Sequence, residues 1–133
     1  MAIERVFEFI DYQLKHYPQE RAFGSRLDGK WQFYSIQQII DLARQLAQGL
    51  MHAGYQRGDN LAIISYKNQP EWIIIDLAMQ YAGLVSIPLY PTISPGEYEY
   101  IMLEAECKAA FIGKGDLAQK VGAVRTALPQ LGP

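Results

Sequence analysis

Residues 57–92 read RGDNLAIISYKNQPEWIIIDLAMQYAGLVSIPLYPT, and this stretch decides the fold. Arg57-Gly58-Asp59 makes a turn into a short apolar run, residues 61–65, too short for a helix and suited to a buried strand. Asn68 is the expected N-cap of the next helix, with Pro70 in its first turn, where a missing N–H costs little. Trp72, Ile73, Ile74, Ile75, Leu77, Ala78 and Met79 leave that helix little polar face, so burial on several sides is expected. Gly83 ends it, and residues 84–89 form the next strand, with Pro88 at an edge or bulge because it cannot donate to a ladder.

Working outward from there, Ser94-Pro95-Gly96-Glu97 supplies a cap, a first-turn proline and a capping-box glutamate. Tyr98, Ile101, Met102 and Ala105 are the core stripe of the helix it opens. Ala109–Ile112 reads as a third strand, and Leu117, Val121, Val124 and Leu128 suggest a last helix. Strand and helix alternating three times is the pattern of a parallel sheet with helical crossovers.

Upstream, Ile3, Val6, Phe7, Ile10 and Leu14 recur at helical spacing, and that helix is expected to end near Pro18. Asp28-Gly29 between residues 21–27 and 31–34 is a hairpin signal. Ser35 followed by Gln38 is a second capping box. Ile36, Ile39, Ile40, Ala43, Leu46, Ala47, Leu50 and Met51 make one apolar stripe, and Gly54 is the C-terminal stop. The fold class read from these elements is α/β: a partial parallel sheet with helices on both faces plus a small N-terminal hairpin, an incomplete part of a larger domain. The chain stops at Leu131-Gly132-Pro133, where an alternating pattern is expected to turn into another strand.

Composition narrows the function classes. The 133 residues are 50% hydrophobic and 20% charged, with a formal net charge of −2. That balance suits a globular chain and gives no field to attract nucleic acid. One cysteine, Cys107, cannot build a disulfide framework, and its place before a strand suggests a small buried hydrophobe. The apolar stretch 72–89 approaches the about 20 residues a membrane span needs, but Asp76, Gln80, Gly83 and Pro88 interrupt it. No transmembrane segment and no signal peptide are read, so the expected location is cytoplasmic.

Several motifs invite chemistry. Gly24-Ser25-Arg26-Leu27-Asp28-Gly29-Lys30 has P-loop spacing, but Trp31 stands where Ser or Thr should ligate magnesium, and the segment lies in a hairpin. Gly113-Lys114-Gly115-Asp116-Leu117-Ala118 fits a dinucleotide pattern between a strand and a helix. Nucleotide binding there is weighed against a plain turn, and a standalone nucleotide-binding module using this loop is one alternative function. A non-enzymatic interaction domain is another. His16 and His52 each fall in the last turn of a helix, with no second ligand at metal spacing. Glu97, Glu99, Glu104 and Glu106 fit helix electrostatics better than a catalytic acid–base pair.

Three stretches, taken together, resemble the N-terminal region of the AMP-forming acyl-CoA synthetases and ligases. They are Tyr34-Ser35 with Leu42-Ala43, Leu46 and Gly49-Leu50; Arg57-Gly58-Asp59-Asn60-Leu61-Ala62-Ile63 with Asn68 and Glu71-Trp72; and Leu77-Ala78 through Gly83 to Ile87-Pro88-Leu89-Tyr90-Pro91-Thr92. The order and spacing match over residues 34–113. Pro-Leu-Tyr followed by Pro-Thr looks most like the long-chain fatty-acid branch, while Tyr55 stands where the family often has Val.

The resemblance implies that residues 1–133 are the N-terminal part of an AMP-binding domain. The parent would join fatty acid, ATP and coenzyme A, with magnesium, through an acyl-adenylate. The family's Ser/Thr/Gly-rich loop ending in Pro-Lys-Gly does not occur in these residues, nor do its adenine motif, ribose aspartate, hinge or C-terminal lysine. No catalytic, cofactor or metal residue is therefore assigned, and the fragment is expected to be inactive alone. Trp72 reads as a large buried anchor. Tyr90 and Thr92, at a strand's C-terminal end, are the candidates for approaching a substrate in the parent, because α/β sheets bind ligands there. The expected partners are the remainder of the parent chain and, for the exposed apolar surface of a cut domain, further copies of itself. The parent's contact with a membrane periphery is left open.

Overall fold

The computed structural model describes residues 2–132, so Met1 and Pro133, which the sequence reading takes in at the chain ends, lie outside the described residues. The chain divides into two compact units, Met1–Tyr55 with Gln69–Ala82, and Gln56–Asn68 with Gly83–Pro133.

The first unit begins with helix α1, Glu8–His16. It starts later than the apolar spacing predicts. The Glu8 carboxylate accepts hydrogen bonds from the backbone N–H groups of Glu4 at 2.8 Å and Arg5 at 3.0 Å, which turns the chain ahead of the helix. Ile3 and Val6 fall outside it, and Val6 is 72% exposed. Strands β1, Phe23–Leu27, and β2, Lys30–Tyr34, pair antiparallel from Phe23↔Tyr34 to Leu27↔Lys30. Asp28 and Gly29 between them both take positive φ, 50° and 78°, as a two-residue type I′ turn requires.

Helix α2 spans Ile36–His52. Its capping box is complete: Ser35 Oγ accepts the Gln38 N–H at 3.1 Å, and the Gln38 side chain accepts the Ser35 N–H at 2.9 Å. The stripe predicted for it is buried through Leu50, but Leu46 is half-buried and Met51, in the last turn, is exposed. Helix α3, Pro70–Tyr81, packs Ile74, Leu77 and Ala78 against Ile39, Ala43 and Ala47 of α2. The alanines allow close approach. Its N-cap is Gln69 rather than Asn68, because Pro70 takes the first helical position and holds the preceding residue extended, at φ −139° and ψ 153°. Trp72 is half-buried rather than an internal anchor, and Ile73 is exposed, so α3 is buried along one broad face and not all round.

The second unit holds a three-stranded parallel sheet in the order β4-β3-β5, with β3 Asn60–Ile64, β4 Val85–Leu89 and β5 Ala109–Ile112. The first two differ from the sequence reading by one residue at their ends. Leu61, Ala62, Ile63 and Ile64 are all buried, as a central strand covered on both faces should be. Pro88 lies on β4, an edge strand, opposite Ile63, where its missing N–H faces no ladder partner.

Helix α4, Pro95–Glu104, opens on a second complete capping box, Ser94 with Glu97. It sets Tyr98 and Met102 against Ala62, Ile64 and Leu117 of one core. Helix α5 runs only over Leu117–Val124 and is followed by a 3-10 turn, Arg125–Ala127. Leu128 is buried but lies beyond the helix, at φ −119° and ψ 67°, since Pro129 disfavours helical geometry in the residue before it. The stretch 72–89 resolves into α3 and β4. Among the described residues no helix is long and apolar enough to cross a membrane.

Candidate functional site

Parallel strands end together, so the loops after β3, β4 and β5 gather at one edge of the sheet. This is where α/β sheets place their ligands. The loops are Ser65-Tyr66, Tyr90-Pro91-Thr92 and residues 113–116.

The first and third loops approach closely. Gly113 N–H donates to the Ile64 carbonyl at 2.7 Å. A Cβ on Gly113 would stand 2.9 Å from Ser65 Oγ and 3.2 Å from Ser65 Cα, so only glycine fits there. Tyr66 O–H donates to Asp116 Oδ1 at 2.6 Å, and Lys120 Nζ donates to the Tyr66 oxygen at 3.2 Å and to the Pro91 carbonyl at 3.4 Å. Lys120 and Asp116 also pair at 3.6 Å. Tyr98, fully buried, reaches up from α4 and donates to the Tyr90 carbonyl at 3.0 Å and the Pro91 carbonyl at 2.9 Å. All three loops are therefore joined by side-chain bonds.

The charges in this clasp answer one another. The Tyr66 hydroxyl, aided by Lys120, holds the Asp116 carboxyl below the usual aspartate range. The Tyr66 oxygen, with Asp116, pushes the Lys120 ammonium up. Burial raises the Tyr98 phenol. The arrangement orders a rim. Tyr90 is 79% exposed and Thr92 is exposed, and the Tyr90 carbonyl between them is held by Tyr98.

The Gly113–Ala118 segment does join a strand to a helix, as a dinucleotide loop must. Yet Asp116 is the N-cap of α5, putting a carboxylate where a pyrophosphate would sit, which favours the plain turn. The P-loop look-alike, Gly24 to Lys30, lies in the β1–β2 hairpin. His16 lies against Tyr12 in the last turn of α1, ring centroids 4.2 Å apart and planes tilted by 33°, and His52 lies in the last turn of α2. Glu97 commits its carboxylate to the Ser94 cap, which holds it below its usual pKa. Cys107 is buried, and burial pushes its thiol up to about 11.

The clasp escaped the sequence reading. Its members are 50 and 54 residues apart, and only the strand order makes them neighbours.

An open parallel α/β unit with its loops gathered at one sheet edge hosts many unrelated functions. The chain belongs to the AMP-binding enzyme family, whose model matches residues 10–131. The peroxisomal long chain acyl-CoA synthetase 6 of Arabidopsis thaliana is 34% identical over 106 residues, covering 80% of this chain and 15% of that protein. Long-chain-fatty-acid–CoA ligase 1 of Cavia porcellus is 33% identical over 100 residues, 74% of this chain and 14% of its own. The chain spans between 15% and 17% of the length of the first curated relatives it matches.

In fold it resembles the adenylation domain of a carboxylate reductase from Mycobacterium chelonae, with a TM-score of 0.86 and 18% identity, over 98% of this chain and 22% of that one. It also resembles an anthranilate CoA ligase solved with anthranoyl-AMP, with a TM-score of 0.81 and 16% identity, over 96% of this chain and 24% of the other.

Proposed function

We propose that residues 1–133 are the N-terminal structural part of the AMP-binding domain of an ATP-dependent long-chain fatty-acid–CoA ligase, and that they do not catalyse the reaction by themselves. The whole protein would join fatty acid and coenzyme A, converting ATP to AMP and pyrophosphate. The long-chain branch is supported by the names of the relatives at 33% and 34% identity. The architectural role is supported by one observation: at the edge where the three loops gather, the charged pair Asp116 and Lys120 is closed on itself through Tyr66.

In this reading the clasp holds one wall of the site, and Tyr90 and Thr92 are the side chains turned toward the substrate. Magnesium belongs to the reading of the whole protein, and no residue of this chain is assigned to hold it. The remainder of the parent chain is the principal partner. Alone, the chain would bury exposed apolar surface by self-association, which sedimentation velocity would register as a concentration-dependent shift. A cytoplasmic location goes with this reading, although one relative is peroxisomal.

The test is palmitate-dependent ATP–pyrophosphate exchange by the purified chain with magnesium. No exchange above a boiled control is expected. Formation of palmitoyl-AMP by these residues alone would overturn the architectural reading.

A further inference from the structure

Tyr98 is fully buried near the start of α4, yet it ends in a hydroxyl where phenylalanine would fill the same core. Both hydrogen bonds of that hydroxyl go to one loop, to the Tyr90 carbonyl at 3.0 Å and the Pro91 carbonyl at 2.9 Å. Successive carbonyls of an extended strand point to opposite sides. Here two in a row converge on one phenol oxygen, so the chain leaves β4 by turning around Tyr98. The single phenolic proton is shared between them, and Lys120 Nζ adds a longer bond to the Pro91 carbonyl at 3.4 Å.

The other end of the loop is fixed by the residue next to Tyr98. The Glu97 carboxylate accepts the Ser94 N–H at 2.7 Å, and Ile93 packs into the core that holds Tyr98. Residues 90–94 are therefore tied at both ends to one turn of α4, and Thr92 stands exposed between the ties. We propose that Tyr98 is a positioning residue, whose hydroxyl holds the loop that presents Tyr90 and Thr92 to the acyl chain of the carboxylic-acid substrate. The substrate part of this role rests on the ligase reading. Residues 90–94 carry no charge, and an exposed phenol ring suits an apolar chain better than the phosphates of ATP.

A merely structural tyrosine predicts something different. Its loss would lower stability throughout the core, whereas loss of a positioning hydroxyl loosens one loop in a chain that stays folded. Tyr98→Phe separates the two, because it keeps the ring and its packing and removes only the donor to the two loop carbonyls.

The experiment measures backbone amide order parameters by nuclear magnetic resonance, at a concentration where sedimentation velocity shows one species. In the unsubstituted chain Thr92, although exposed, should be as rigid as β3, at about 0.85. Tyr98→Phe should lower Thr92 toward about 0.6 and leave β3 unchanged. A Thr92 value already below about 0.6 in the unsubstituted chain, which needs no variant to fold, or one that Tyr98→Phe does not move, would overturn the proposal. The substrate part is read in a chimera in which residues 10–131 replace the corresponding segment of a long-chain fatty-acid–CoA ligase. There Tyr98→Phe should raise KM for palmitate about two- to tenfold, the cost of ordering a loosened side chain on binding, with kcat and KM for ATP unchanged. An unchanged palmitate KM, or a loss confined to kcat, would overturn that part. An inactive unsubstituted chimera would overturn the ligase reading and the substrate part with it, while the order parameters still decide what holds the loop.

Discussion

The Tyr66 hydroxyl donates a 2.6 Å hydrogen bond to the Asp116 carboxylate, tying the loop after the central strand to the loop before the last helix. Lys120 completes the clasp by donating to the same phenol oxygen at 3.2 Å. Asp116 is held below its ordinary pKa, so its contribution to stability is present above the unfolded-state value of about 3.9 and is lost as pH falls through the lower folded value. Lys120 is raised, so its contribution is present below its unfolded value and is lost as pH rises through the higher folded one. Urea titrations across pH should show the acid-side loss reduced in Asp116→Asn. Tyr66→Phe should lower the urea midpoint near neutral pH. A Tyr66→Phe chain as stable as the parent at every pH would remove the clasp from the account.

The α3 face makes a contrast between neighbours. Ile74 is 8% exposed and packs toward α2, whereas Ile73 is 37% exposed. Ile74→Ala should cost about 2–4 kcal/mol through lost burial and a cavity, and Ile73→Ala less than about 1 kcal/mol. Equal losses in chemical denaturation would mean that the helix is buried on both sides after all.

Much of the fold was legible because local chemistry and global structure agree. The Ser35 and Ser94 capping boxes, the Asp28-Gly29 turn and the short apolar strands each have a cause within a few residues. Readings failed where a neighbour overrode a pattern. Glu8 folds the chain back before α1, Pro70 shifts the cap from Asn68 to Gln69, and Pro129 cuts the last helix short of Leu128. Trp72 was misjudged because hydrophobicity alone does not say which side of a helix is covered. At the rim, Tyr90 and Thr92 could be placed from their position after a strand. Tyr66, Asp116 and Lys120 could not, since the order β4-β3-β5 is not written in any local signal.

The backbone at Gly83 supports a sharper test of the turn into β4. Its φ is +72°, and a Cβ there would approach Arg57 Cγ at 3.1 Å. Gly83→Ala should destabilise the chain by about 1–2 kcal/mol, the cost of a left-handed conformation in an L-residue. The control Gly122→Ala, in α5 with open space around the added methyl, should be neutral or stabilising. A neutral Gly83→Ala in thermal and urea melts would show that the turn relaxes.

Cys107 reports on core integrity. It is buried and its thiol is pushed up to about 11, so it keeps its proton well above the pH at which an unfolded thiol loses it. Its contribution to stability is therefore present below the unfolded value and declines as pH rises through the folded one. A thiol-reactive disulfide reagent at pH 8 should label the native chain slowly and the guanidinium-unfolded chain completely. Rapid stoichiometric labelling of the native chain would mean that the α4–α5 core opens readily.

The central claim is that this chain is an interchangeable wall of an acyl-CoA-forming enzyme. The direct measurement is palmitoyl-CoA formation by a chimera in which residues 10–131, the span matched by the family, replace the corresponding segment of a long-chain fatty-acid–CoA ligase. The account predicts a folded chimera active to within about tenfold of its host, a change of about 1.4 kcal/mol in the barrier. A folded, monodisperse chimera that forms neither palmitoyl-AMP nor palmitoyl-CoA would contradict it.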